Sequence, residues 1–318
     1  MSIIEKAAGK LGEAANKAQP AADDVRAAFN RDEKIIEAAV SREKQGDGLK
    51  APMSGQPQAE PHRDAASRLP EQASRFENIN LAKLRQFGMI TPDGERSQIA
   101  EQFRLIKRPL IMNAFNQGAA PIKNGNLIMV TSSFPGEGKS FCSINLALSI
   151  AMERDHRVLL VDADVAKPSI PKFFGFKADK GLMDVLLDEH VQLPDVLIRT
   201  NVEKLSILPA GRGHRYATEL LASEAMNRLL QDMSQRYHDR IIIFDSPPLL
   251  ATTEARVLAT HMGQIVMVVE SERATRDALK EALRQIESCD VVSLLFNKGN
   301  ALTGGDYYGY GQYGSYGK

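Results

Sequence analysis

Cysteine is scarce: only Cys142 and Cys289 occur in 318 residues, with no spacing that suits a metal site. Both fall in apolar runs and read as reduced core thiols. An excess of charge is missing as well, because lysine plus arginine and aspartate plus glutamate each total 40, for a formal net charge of zero. A general nucleic-acid binder carries a basic surplus, so no nucleic-acid partner is expected. Long hydrophobic runs are absent; stretches such as Ile241–Phe244 and Ile265–Val269 are far too short to cross a bilayer. The N-terminus, MSIIEKAAGK, lacks the apolar stretch of a secretory signal. A cytoplasmic protein without a transmembrane segment is the expectation.

What is present divides into four regions. Residues 1–44, rich in alanine, lysine and glutamate, read as a helical extension in which Ile3, Ile4, Ala7, Ala8 and Leu11 share a face. Residues 45–75 carry glycine, proline, serine and charge with few large apolar side chains, and read as a flexible linker. Residues 76–303 hold the globular domain. Its candidate strands are Leu127–Thr131, Val158–Val161, Leu205–Leu208, Ile241–Phe244, Ile265–Val269 and Val291–Phe296. Several are continuous apolar runs, as parallel strands covered on both faces require. The helical stretches between them predict an α/β fold with a mostly parallel, doubly wound sheet flanked by helices. Residues 304–318, GGDYYGYGQYGSYGK, lack any aliphatic side chain and are expected to be disordered.

The chemistry begins at TSSFPGEGKSF, Thr131–Phe141, directly after the first buried run. Ser133, Phe134, Pro135, Gly136, Glu137, Gly138, Lys139, Ser140 and Phe141 read as a Walker A phosphate loop ending in GKS, with Ser133 where the usual first glycine stands. Glycines let backbone N–H groups turn inward around phosphate oxygens, and the following helix N-terminus adds its positive dipole. Lys139 is expected to reach the β- and γ-phosphates of ATP, and the Ser140 hydroxyl to ligate Mg²⁺. Two other runs end in carboxylates, VLLVDAD at Asp162 and Asp164 and IIIFD at Asp245. Carboxyl ends of parallel strands open onto one crevice, so these three can hold Mg²⁺, and one can take a proton from an attacking hydroxyl.

Five of the seven tyrosines lie in the last twelve residues: Tyr307, Tyr308, Tyr310, Tyr313 and Tyr316. A glycine-rich end buries none of their area. It reads either as a sticky, low-complexity tail or as a substrate segment, able to thread into an active site and present phenolic hydroxyls.

The loop PGEGKS, the pair in VDADVAKP, FDSPP and the tyrosine cluster resemble the bacterial tyrosine kinases of exopolysaccharide export, over roughly residues 90–318. LPAGRGHRYATELLAS is similar to the segment that ends in ELL in that family. The resemblance implies a P-loop NTPase fold and an ATP- and Mg²⁺-dependent autokinase that modifies its own tail, in trans between subunits. It implies Asp162 as base, Asp164 as a metal-side carboxylate, Asp245 as the Walker B carboxylate and Asn297 against the adenine ring. Through EQFRLIK it implies a ring-like homo-oligomer contact by Glu101, Arg104 and Lys107, and spacing puts Glu101, Arg104 and Lys107 or Arg108 near one helical face. Its implied partners are a membrane-anchored polysaccharide co-polymerase, or chain-length determinant, as activator at the inner membrane, and a phosphotyrosine phosphatase. Ala166 and Lys167 stand where many members carry arginine. The competing function is an ATP-driven switch like the plasmid-partitioning and septum-placing ATPases, but these place an extra lysine at the position of Phe134. A cluster-carrier ATPase would need a C-x-x-C pair that is absent here.

Overall fold

A computed structural model of the protein describes residues 75–299 apart from 119, 237 and 238. The N-terminal extension, nearly all of the linker and the tyrosine cluster lie outside the described residues. Among the described residues, eight strands form one sheet: β1 (Arg75–Glu77), β2 (Leu127–Ser132), β3 (Arg157–Asp162), β4 (Ile198–Thr200), β5 (Leu205–Leu208), β6 (Arg240–Asp245), β7 (Gln264–Glu270) and β8 (Val292–Asn297). Their spatial order is β1-β4-β5-β3-β6-β2-β7-β8, and every neighbouring pair is parallel except β4 with β5. The helices are α1 (Leu81–Gln86), α2 (Gln98–Ala114), α3 (Lys139–Ala151), α4 (Ile170–Phe174), α5 (Leu182–Leu187), α6 (Leu193–Val196), α7 (Ala217–Leu221), α8 (Glu224–Arg236), α9 (Glu254–Ala259) and α10 (Arg276–Arg284).

The continuous apolar runs are explained by this sandwich. Successive side chains of a strand point to opposite faces, and here both faces are covered. Leu127, Met129, Leu159, Val161, Ile265 and Met267 pack with Met226, Leu230 and Met233 of α8 and Ala255 and Leu258 of α9. Ile128, Val130, Val158, Leu160, Val266 and Val268 pack with Phe103 and Leu110 of α2 and with Ile144, Leu148 and Ile150 of α3. Cys142 and Cys289 are free thiols buried in these two layers, as expected. Among the described residues no helix is long and apolar enough to cross a membrane.

The short strands β1 (RFE) and β4 (IRT) were not foreseen, and the physical reason is plain. Three residues with a charged side chain among them give no apolar run; they are strands because β4 pairs antiparallel with the edge of β5 and β1 then pairs with β4. Ser97 caps α2 by accepting from Ala100 N (3.3 Å), with Glu101 in the first turn where a negative charge complements the helix dipole.

Candidate active site

Register puts two carboxylates together. Asp162 and Asp245 end β3 and β6 and are Cα partners across that pair, while Val130, near the end of β2, is paired with Asp245. The chain then leaves β2 at Ser132 and enters α3 at Lys139, so the phosphate loop wraps over the same strand ends. Gly136 (φ +90°) and Gly138 (φ +100°) occupy the left-handed region, which glycine adopts without the steric cost of a Cβ.

Within the loop the side chains divide. Phe134, Pro135 and Gly136 are exposed, whereas Ser133 and Glu137 are buried. Glu137 Oε2 accepts from Phe134 N (2.7 Å), so this carboxylate closes the loop on itself. Asn297, at the end of β8, donates from Nδ2 to Glu137 O (2.9 Å), and a Cβ on Gly138 would overlap that amide. The structure thus commits the Asn297 amide nitrogen to the loop backbone, a contact that the adenine expectation did not anticipate.

Lys139 Nζ donates to Asp164 Oδ2 (2.8 Å), a pair that is largely buried. Asp164 Oδ1 also accepts from Lys167 N (3.1 Å). Pro135, Gly136, Ser140, Phe141, Lys167 and Thr252 join this pair around an open cleft of about 550 Å³. Asp164 is the carboxylate that faces the cleft; Asp162 and Asp245 sit behind it, fully buried.

Asp162 Oδ2 accepts from Ser169 N and Ile170 N, both 2.9 Å. Burial, reinforced by the charge of Asp245, pushes its carboxyl up to about 7 against the pull of those two bonds. Burial likewise raises Asp245 to about 6, although Lys139, Ser140 and Ser143 oppose it. Burial and the same carboxylate lift the Cys142 thiol to about 12, which leaves it inert. Ser143, four residues after Lys139 on the same helical face, donates within reach of Asp245 Oδ1 (3.0 Å) and Lys139 O (2.9 Å). Ser169 Oγ donates to Ser140 Oγ (3.1 Å). Neither Ser143 nor Ser169 was singled out from sequence; the i,i+4 spacing from Lys139 was the available signal for the first.

Asp162 Oδ1 and Asp245 Oδ2 are buried without a hydrogen-bond partner. The orphaned oxygen of Asp245 has the donor chemistry of a divalent-cation ligand, and that of Asp162, its register partner, is left open to take a proton. Among the described residues no group of three or more His, Cys, Asp or Glu forms a metal cluster.

The α2 face departs from expectation. Glu101 and Arg104 are exposed and paired with each other. Lys107 is buried: its Nζ donates to Ser149 O (2.7 Å) at the end of α3 and pairs with Glu153 (2.6 Å). Phe103, Lys107 and Leu110 form the inward stripe, and Arg108 is the exposed base near Glu101 and Arg104.

Residues 125–293 match a family described as an AAA domain. EpsB of Ralstonia nicotianae is 35% identical over 204 residues, 63% of this chain and 26% of that protein. The tyrosine-protein kinase CpsD of Streptococcus agalactiae is 30% identical over 199 residues, 62% of this chain and 83% of that protein. Among solved structures, the chimerical protein CapA2B2 aligns at a TM-score of 0.55 and 28% identity, covering 70% of this chain and 94% of that one. The chain spans about a quarter of the length of the first curated relatives it matches (26%, 25% and 22%). With a sheet, loop and carboxylate pair of this order behind those matches, the chain belongs to the bacterial tyrosine-protein kinase family, on a P-loop NTPase fold.

Proposed function

We propose that the chain is an ATP- and Mg²⁺-dependent protein-tyrosine kinase whose acceptors are Tyr307, Tyr308, Tyr310, Tyr313 and Tyr316 of a neighbouring copy, and that it regulates exopolysaccharide synthesis and export. The observation that carries this reading is the pair of orphaned oxygens on Asp162 and Asp245 beside Lys139 and the phosphate loop. Bound Mg²⁺ supplies charge neutralisation for the transferring phosphoryl group. The residues of the chain do the rest. Loop N–H groups and Lys139 hold the β- and γ-phosphates, for which Lys139 gives up Asp164. Ser140, Asp164 and Asp245 orient the metal side. Asp162, with a proton affinity near neutrality, takes the phenolic proton once the Lys139–Asp164 pair in front of it has parted, as the tyrosine oxygen bonds to the γ-phosphorus and the bond to ADP breaks.

The fold of Glu101, Arg104 and Arg108 on one outward face supports a homo-oligomer through α2. Arg104→Ala with Arg108→Ala should leave thermal stability unchanged and reduce assembly in sedimentation velocity. Lys107→Ala should instead cost about 2–3 kcal/mol in denaturant unfolding, because a buried, charge-assisted bond to Ser149 O is lost. Equal stability losses from both changes would remove the distinction. A membrane-anchored polysaccharide co-polymerase as activator at the inner membrane, and a phosphatase that resets the tail, complete the proposed partners.

The deciding experiment incubates purified protein with radiolabelled ATP and Mg²⁺, beside a chain truncated after Thr303. Phosphotyrosine present in the full chain and lost on truncation is the expected result. Label that survives truncation moves the acceptor elsewhere. ATP hydrolysis without labelled protein, even with the activator's cytoplasmic segment added, would replace the reading by an ATP-driven switch.

A further inference from the structure

We infer that Lys298 is a positioning residue that holds the phosphate loop in its binding shape from behind; the inference rests on the reading of that loop as the ATP site. Lys298 Nζ donates to Gly136 O (2.7 Å) and pairs with Glu270 Oε1 (3.2 Å). Its neighbour Asn297 binds the next carbonyl, Glu137 O. Two consecutive side chains at the end of β8 therefore secure two consecutive loop carbonyls. This matters because a loop that turns its N–H groups inward to an anion must turn carbonyls outward. At glycine, where φ is free, an unsecured peptide unit rotates easily and the inward N–H is lost.

The ammonium is itself fixed. Glu270 takes Lys298 on Oε1 and Arg273 Nη1 on Oε2 (3.2 Å), and Ser271 N donates to Asn297 O (2.9 Å), which ties the β7–α10 turn to the end of β8. Lys298 also sits at φ +56°, in the left-handed region, which a lysine adopts at a steric cost and a glycine without one. A half-exposed ion pair adds little to folding stability. On folding grounds alone, glycine would serve better at this position; the side chain is explained by what it does to the loop.

Lys298→Gly separates the two roles, since it removes the ammonium while relieving the backbone. Each protein is titrated with a fluorescent ATP analogue and Mg²⁺, melted without nucleotide, and assayed for kinase kcat and KM. The glycine variant should melt at or above the wild-type temperature, bind nucleotide about tenfold more weakly and raise KM for ATP with kcat changed less than about threefold. Lys298→Arg, which keeps a cation, should recover most of the affinity. Nucleotide binding by Lys298→Gly within about twofold of wild type overturns the inference. Wild-type protein that binds no nucleotide at all overturns the reading of the loop as well, so the two failures are distinguishable.

Discussion

Under the proposed function, Lys139→Met should lower phosphate transfer to tyrosine by roughly 100-fold or more while leaving the fold intact, because the charge it removes would act on phosphate oxygens in the transition state. The structure adds a second consequence. Lys139 neutralises Asp164 across 2.8 Å in a largely buried pair, and methionine leaves that carboxylate supported by the Lys167 backbone bond. An uncompensated charge there should destabilise the nucleotide-free protein by about 1–3 kcal/mol. Labelling with radioactive ATP and denaturant unfolding measure the two effects on one preparation. A variant that keeps near wild-type transfer would remove Lys139 from the reaction. One that is as stable as wild type would mean that Asp164 is better solvated than its burial indicates.

Asp162→Asn should do the opposite to stability and, under its proposed role as base, lower transfer by roughly 100-fold. The carboxyl is raised from its ordinary value of 3.8 to about 7, so the folded state binds the proton more tightly than the unfolded state does. Folding stability from this group is therefore fully present below about pH 4, falls as pH rises toward 7 and stays low above that. Asparagine is neutral throughout and escapes the penalty. Melted without metal or nucleotide, the variant should gain stability over wild type at pH 8, on the order of 1–3 kcal/mol, and gain little at pH 4. A gap that does not widen with pH would mean that the wild-type carboxylate is not held against ionisation. Asp245, raised to about 6 by burial, contributes in the same direction and over a slightly lower range.

Much of the fold was legible because covered parallel strands spell themselves out: LIMV, VLLV and IIIF are apolar at every position and each lies inside an observed strand. The phosphate loop was legible from glycine spacing and the carboxylates from their place at the ends of those runs. What escaped was set by tertiary contact. β1 and β4 owe their conformation to a neighbour's edge. Lys107 was read with the outward charges, yet Phe103 four residues before and Leu110 three after mark its stripe as inward; the heptad-like spacing was visible, and the charge of lysine disguised it. Asn297 gripping Glu137, across 160 residues of chain, had no local signal at all.

The place where β8 ends also fixes a tether. Asn297 touches the phosphate loop, and Tyr307 follows it by ten residues. Fully extended, that span reaches at most about 35 Å. Chain length alone would then hold the Tyr307 hydroxyl near its own loop, at an effective concentration on the order of millimolar. If transfer ran within one copy, the tail would need no affinity for the cleft; the proposed transfer to a neighbouring copy must draw its effective concentration from assembly instead. Transfer within one copy would then proceed at a rate indifferent to dilution, whereas transfer between copies would slow as the assembly dissociates.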